Sequence, residues 1–212
     1  VMFDLDGTLL NTIDDLADSA NLVLAEHNWP THAVADYCYF VGDGLEMLVR
    51  RMLPPAQAEN TDVVTNCMRR MREEYSRRWE EKTRPYDGIE AALTELHARG
   101  LRLAVLSNKP DDMTQLTVNA LLPAACFAVV RGVRADGVRK PNPAGALAIA
   151  DGLGIAPASF LYVGDTATDM QTATAAGMRA VGVEWGFRTP AELWDNGAAH
   201  VLHHPRELLD LV

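Results

Sequence analysis

An α/β fold with a parallel, doubly covered sheet is predicted by three features of this 212-residue chain. Short apolar runs alternate with amphipathic segments from residue 85 onward. The first apolar run, residues 1–5, stands apart from its α/β partners. The interval between them, residues 11–84, reads as wholly helical. Alternating strands and helices of this length favour a parallel sheet covered on both faces. The predicted organisation is a sheet core, residues 1–10 and 85–212, with a helical cap, residues 11–84, inserted near the carboxyl end of the first strand.

Each element has a local reason. Residues 1–5 form a buried strand that breaks at Gly7-Thr8. Thr12-Ile13-Asp14-Asp15 has the pattern of a capping box, followed by Leu16, Ala20, Val23 and Leu24 at helical spacing. Thr31 is placed to cap a second short helix, and Val41-Gly42-Asp43-Gly44 interrupts with a loop. A helix over 45–53 stops at Pro54-Pro55, and a long polar helix follows over about 60–82. In the core, helices are expected over 89–99, from 111, and over 143–152, 168–176 and 205–211. Strands are expected over 101–106, 128–130, 160–163, 180–183 and 199–202.

Composition narrows the function classes. The chain is 48% hydrophobic and 23% charged, ordinary for a globular protein, and no apolar run approaches the roughly 20 residues a membrane span requires. A formal net charge of −10 leaves no basic stripe to hold a nucleic acid, but a few local cations suffice for a small phosphorylated metabolite. Three widely spaced cysteines, Cys38, Cys67 and Cys126, suit a reducing, cytoplasmic setting and small buried hydrophobic roles. The chain opens in a strand at Val1, which predicts that a few residues precede it. Monomer and homodimer are equally open.

Four polar clusters fall where predicted strands end or helices begin: Asp4/Asp6, Ser107/Asn108/Lys109, Lys140 and Asp165/Asp169. In open parallel sheets ligands bind outside the carboxyl ends of the strands. Side chains two apart on an extended chain point the same way, so Asp4 and Asp6 would crowd one space unless the chain turns or a cation intervenes. Converging carboxylates raise one another's pKa. A hard divalent cation relieves this, and Mg²⁺ takes one or two carboxylates plus phosphate oxygens and water. A lysine and a hydroxyl nearby would hold the other phosphate oxygens, which suits phosphoryl transfer. Each cluster alone also fits a plainer role: a turn after a strand, a solvated loop lysine, or acids at a helix start. The four together, in order, favour chemistry.

These segments resemble the haloacid dehalogenase superfamily across nearly the whole chain. Asp4-Leu5-Asp6-Gly7-Thr8-Leu9 matches its first motif, Ser107 its second, Lys140-Pro141 its third and Gly164-Asp165-Thr166-Ala167-Thr168-Asp169 its fourth. The resemblance implies a Rossmann-like core with an inserted α-helical cap. It implies Asp4 as the nucleophile forming an aspartyl-phosphate, and Asp6 as general acid and then base, with its backbone carbonyl on Mg²⁺. Asp4 and Asp165 would be direct metal ligands and Asp169 a ligand through water; Ser107 and Lys140 would bind the transferring phosphoryl group.

Asp6 argues against dehalogenation, which in this superfamily needs no acid there. The only lysine of the cap, Lys82, lies at its end, which disfavours phosphonate cleavage through a Schiff base. The finer match is to phosphoglycolate phosphatases, through Ser107-Asn108-Lys109-Pro110, the loop 41–44, and Gly182-Val183-Glu184-Trp185-Gly186-Phe187. On that match Gly7, Thr8, Gly42, Asp43, Gly44, Asn108 and Lys109 are candidate substrate-binding residues. Lys109 suits a substrate with a carboxylate beside its phosphate, and glycines let the loop backbone approach closely. Asn11 stands where relatives usually carry aspartate, and Arg131-Gly132-Val133-Arg134-Ala135-Asp136 departs from their glycine- and acid-rich stretch. A β-phosphoglucomutase-like mutase and a non-catalytic domain binding phospho-ligands or a protein partner are the competing readings. His200, His203 and His204 lack the ligand spacing of structural zinc and read as surface residues. Trp29, Trp79, Trp185 and Trp194 read as packing residues, and Arg69, Arg70, Arg72, Arg77 and Arg78 as a solvated face shared with glutamates.

Overall fold

The computed structural model describes residues 1–134 and 137–212, so Ala135 and Asp136 of the divergent stretch lie outside the described residues. The chain divides into two compact units, Val1–Asn11 with Pro85–Val212, and Thr12–Arg84.

The first unit is built on six parallel strands: β1 (Met2–Phe3), β4 (Leu103–Pro110), β5 (Phe127–Val133), β6 (Leu161–Gly164), β7 (Arg179–Val183) and β8 (His200–Leu202). Two short segments, β2 (Leu10–Asn11) and β3 (Arg84–Pro85), pair separately where the chain leaves and re-enters the sheet region. The sheet order is β5-β4-β1-β6-β7-β8. From β1 the chain steps outward to β4 and β5, then returns to β6 on the other side of β1. That reversal makes the β1/β6 crevice a topological switch point, where ligands of open α/β sheets bind.

Alternation along the strands produces two cores. Phe3, Val105, Val163 and Val181 face one side with Ile89, Leu93 and Leu96 of α6 (Ile89–Ala98) and Val118 of α7 (Asp111–Leu121). Met2, Ala104, Tyr162 and Ala180 face the other with α8 (Ala144–Gly152), α9 (Ala167–Ala175) and Leu193 of α10 (Pro190–Asp195). Helices cover one face before the chain reverses and the opposite face after it, as right-handed crossovers require.

The expected boundaries shift in ways that local chemistry explains. The first strand shortens to Met2–Phe3, although the amide of Asp4 still donates to the Val163 carbonyl at 2.9 Å. β4 runs on to Pro110, so Ser107, Asn108 and Lys109 lie inside the strand rather than beyond it. The last helical segment is a 3₁₀ turn, Pro205–Asp210. Helix α10, absent from the sequence expectation, starts at Pro190 with the Thr189 hydroxyl accepting from the Glu192 amide at 3.4 Å. Trp194 is about half exposed rather than packed, whereas Trp79 is buried. His200, His203 and His204 are exposed, and His203 pairs with Glu184 at 2.7 Å. No helix of the described residues is long and apolar enough to cross a membrane.

The second unit is helical: α1 (Ile13–Glu26), α2 (Val34–Phe40), α3 (Leu45–Met52), the single turn α4 (Pro55–Ala58) and α5 (Thr61–Arg78). Asn60 caps α5 by accepting from the amides of Asp62 and Val63. Arg69, Arg70, Arg77 and Arg78 pair with Glu26, Glu73, Glu74 and Glu81; Arg69 and Arg77 are solvated as expected, but Glu74 is buried and Arg70 and Arg78 are half-buried beside it. Neither expected threonine cap forms. α2 starts at Val34, with Asp36 rather than Thr31 accepting from the Ala33 amide at 3.0 Å. Thr12 precedes α1 without a side-chain cap bond, its φ of −106° and ψ of 1° departing from the extended backbone of a capping residue.

The buried carboxylate of Asp15 accepts from the amides of Lys82 and Thr83 at 2.8–3.0 Å and from the Thr83 hydroxyl at 2.8 Å. It ties the end of this unit back to its first helix. Removing an acceptor that satisfies several buried donors costs roughly 1–3 kcal/mol per stranded group. Asp15→Ala is therefore expected to lower stability by about 3 kcal/mol in urea unfolding; a change below about 0.5 kcal/mol would show that water replaces these bonds.

Candidate active site

The carboxyl ends of β1, β4 and β6 bring four of the polar clusters together. Asp4 follows β1, Asp165 follows β6, and Asp169 lies in the first turn of α9. Carboxylate oxygens of these three residues all lie within 4.8 Å of one another, and all three side chains are buried. Lys140 is buried with them, its Nζ 2.7 Å from Asp4 Oδ1 and 2.7 Å from Asp169 Oδ1. Three carboxylates thus share one ammonium.

Each acid is held by different neighbours. Asp165 accepts from the Thr8 hydroxyl at 2.8 Å through one oxygen and from the Phe187 amide at 2.9 Å through the other. The loop carrying Phe187 approaches so closely that a Cβ on Gly186 would lie 2.2 Å from Asp165 Cβ, so only glycine fits there. Asp169 Oδ2 accepts from the Thr166 amide at 3.1 Å and hydroxyl at 2.7 Å, which turns Oδ1 toward Lys140. Asp4 Oδ1, though close to Lys140, makes no well-aligned hydrogen bond. A buried carboxylate oxygen without a directed donor is a natural cation ligand.

Asp4 and Asp6 do not crowd one space. The chain turns after β1, through amide bonds from Leu9 and Leu10 to the Leu5 carbonyl at 3.0 Å. Asp4 is left with Lys140, while Asp6 accepts from Lys109 Nζ at 2.9 and 3.2 Å. Each acid thus has its own lysine.

Lys109 reaches the site because β4 bulges. Its register with β5 pairs Leu106 with Arg131 and Pro110 with Val133, leaving Ser107, Asn108 and Lys109 opposite Gly132 alone. Bulges of this kind re-aim side chains at strand ends. Gly132 permits it, since a Cβ there would meet the Lys109 carbonyl oxygen at 2.5 Å. Ser107 is buried, and its Oγ accepts from the Lys109 amide at 3.1 Å. The Asn108 amide pairs with the backbone of Lys140.

Electrostatics follow from this burial. Burial foremost, then the Asp169 charge, pushes Asp165 up to about 7. Asp4 is raised well above the ordinary range by burial and by Asp169, against the opposing pull of Lys140. For Lys140, burial is the largest influence and lowers its pKa, but the charges of Asp169 and Asp4 prevail and hold it well above its usual value. The cluster is short of positive charge. An all-oxygen set of three carboxylates is the donor chemistry of Mg²⁺, Mn²⁺ or Ca²⁺ rather than of a soft metal.

Thus Asp4, Asp165, Asp169, Lys140 and Thr8 converge; Asp6, Ser107, Asn108, Lys109 and Gly7 adjoin them in the same unit. Gly42, Asp43 and Gly44 belong to the second unit. There Arg51 holds their loop by donating to the carbonyls of Tyr39 and Phe40 at 3.4 and 3.1 Å and to Asp43 at 2.5 Å. Thr8, read from the sequence as a substrate ligand, spends its hydroxyl on Asp165, and Asn108 its amide on Lys140. The Phe187 amide, Gly186, Gly132 and Thr166 went unnoticed as site residues. Their contributions are backbone atoms, missing side chains or a short-range cap, which composition does not mark, although Gly186-Phe187 sits in a segment already singled out.

A family model described as haloacid dehalogenase-like hydrolase matches residues 1–183. The chain is 31% identical over 189 residues to phosphoglycolate phosphatase of Thiobacillus denitrificans, covering 88% of this chain and 83% of that protein. It is 30% identical over 213 residues to phosphoglycolate phosphatase of Yersinia pseudotuberculosis, covering 100% and 92%. Among solved structures, one titled a predicted phosphoglycolate phosphatase from Haemophilus somnus matches with a TM-score of 0.92 at 28% identity, over 99% of this chain and 96% of that one.

A pH dependence follows for the metal-free protein. Asp165 binds its proton more tightly folded than unfolded, so the native state carries the extra proton between about 4 and about 7. The stability this contributes is complete below the unfolded pKa and is lost as pH rises toward the folded one. Thermal unfolding in EDTA is expected to show a midpoint falling from pH 4.5 to 7 relative to Asp165→Asn; parallel curves for the two proteins would refute it.

Proposed function

We propose that this chain, which belongs to the haloacid dehalogenase-like hydrolase family, is a Mg²⁺-dependent phosphatase of small phosphate monoesters, with 2-phosphoglycolate its favoured substrate. The observation that carries the reading is the buried group of Asp4, Asp165 and Asp169 around Lys140. Curated relatives named phosphoglycolate phosphatase at about 30% identity support the substrate.

Asp4 and Asp165 would hold Mg²⁺ directly, with the Asp6 carbonyl, and Asp169 through water; the bound ion supplies the positive charge that lets an anionic carboxylate approach an anionic phosphate. Lys140 supplies a second positive charge beside Asp4, and the Ser107 hydroxyl, accepting from the Lys109 amide, keeps its own proton to donate to a phosphoryl oxygen. Asp4 Oδ attacks phosphorus as the bond from phosphorus to the leaving oxygen breaks, and Asp6 gives its proton to that oxygen. Water then attacks phosphorus in the aspartyl-phosphate; Asp6 takes its proton, orthophosphate leaves, and Asp4 is regenerated. Splitting the displacement in two is the advantage of a covalent nucleophile, and one carboxyl serves as acid and then base. Lys109, buried and paired with Asp6, would be the cation to meet a substrate carboxylate.

The reading is tested by orthophosphate release from 2-phosphoglycolate, β-glucose 1-phosphate, a nucleoside monophosphate and pyrophosphate, with Mg²⁺ and with EDTA. Expected are a metal-dependent preference for 2-phosphoglycolate and a loss of at least about 10³-fold in kcat for Asp4→Asn, with an unchanged circular dichroism spectrum. Another preferred ester would overturn the substrate, and release in EDTA or an active Asp4→Asn would overturn the mechanism. An isomerised sugar phosphate without net release would instead favour a mutase.

A further inference from the structure

We propose that Asn108 is a positioning residue, whose side-chain amide grips the backbone of Lys140 and so sets the lysine ammonium between Asp4 and Asp169. The role rests on the phosphatase reading above, but the grip does not. Asn108 Nδ2 donates to the Lys140 carbonyl at 3.1 Å, and the Lys140 amide donates to Asn108 Oδ1 at 2.8 Å. Both bonds are buried, and they join residues 32 apart in sequence.

Lys140 needs such a grip. It lies in neither helix nor strand. The bond from the Asn142 amide to the Arg139 carbonyl, at 3.0 Å, closes a small turn around it. Its ammonium nonetheless meets two carboxylates at 2.7 Å each. A lysine chain has four rotatable bonds, so its terminal atom is only as well placed as its backbone. Asn108 is anchored in β4, at the bulge that aims Ser107 and Lys109. An amide side chain presents an acceptor and a donor side by side, matching the N–H and C=O of one residue. An ionised aspartate lacks the donor, and an apolar residue lacks both. Asn108 therefore acts through Lys140 rather than on the substrate, which revises its sequence reading as a substrate ligand.

The test is a double-mutant cycle on 2-phosphoglycolate with Mg²⁺, under single turnover at high enzyme where needed, using Asn108→Ala, Asn108→Ser, Lys140→Ala and Asn108→Ala/Lys140→Ala. Misplacement by about 1 Å costs up to roughly 10²-fold. Asn108→Ala is expected to lower kcat by about 10- to 100-fold with KM moved less than about threefold. The double variant should match Lys140→Ala within about twofold. Asn108→Ser, which opens less space, should fall in the same direction and serves if the alanine variant does not fold. A raised KM with kcat intact, or an undiminished Asn108 effect in the Lys140→Ala background, would overturn the proposal. Amide hydrogen exchange, read without substrate or metal, separates the grip from the chemistry. Exchange at Lys140 should quicken in Asn108→Ala while Val105 and Val163 keep theirs; an unchanged Lys140 rate would overturn the grip even if the wild type hydrolyses no ester.

Discussion

Everything at the sheet's carboxyl edge answers to one electrostatic constraint: three carboxylates are buried together with a single lysine. Burying a charge is tolerated only when it is paired and hydrogen-bonded. Here the pairing is incomplete by design of the backbone. Asp165 has its two oxygens occupied by a hydroxyl and an amide, Asp169 is fixed by Thr166, and Asp4 keeps an oxygen without an aligned donor. The imbalance appears as raised proton affinity at Asp4 and Asp165. A cation and a phosphate would resolve it in complementary ways, one by neutralising the acids and the other by occupying Lys140.

The scaffold makes that concentration of charge sustainable. β1 sits at the centre of the sheet, where the strand order reverses, so the loop after it opens into a crevice instead of packing under a helix. The two apolar cores on either face carry the stability, with Phe3, Val105 and Val163 on one side and Met2, Ala104 and Tyr162 on the other. Residues just past the ends of β1 and β6 are then free to be polar. Asp4 follows Phe3 directly, and Asp165 follows the last residue of β6.

How much of this was legible in the sequence depended on the range of the interaction. The strand and helix order could be read because alternation and amphipathic spacing are local. The clustering of Asp4, Lys140, Asp165 and Asp169 could be anticipated because each stands near where a strand ends or a helix begins, and the sheet brings such places together. The caps were misjudged because threonine was assigned by pattern alone: Asp15 finds Thr83 and the Lys82 amide, 68 and 67 positions away, and the Thr12 hydroxyl is without a partner. Asn108 reads as a ligand in a motif, and its pairing with the Lys140 backbone could not be read, since only the folded chain lays that loop beside β4. The bulge opposite Gly132 was invisible for the same reason, and Ser107 to Lys109 were expected beyond the strand instead of inside it.

The site depends on the charge deficit of Asp4, Asp165 and Asp169. Titrating Mg²⁺ into the metal-free protein at pH 7.5 by calorimetry tests it most directly. One ion per chain is expected, with affinity lost in Asp165→Asn. No binding, or binding that Asp165→Asn leaves intact, would contradict the claim that this buried cluster is a cation site.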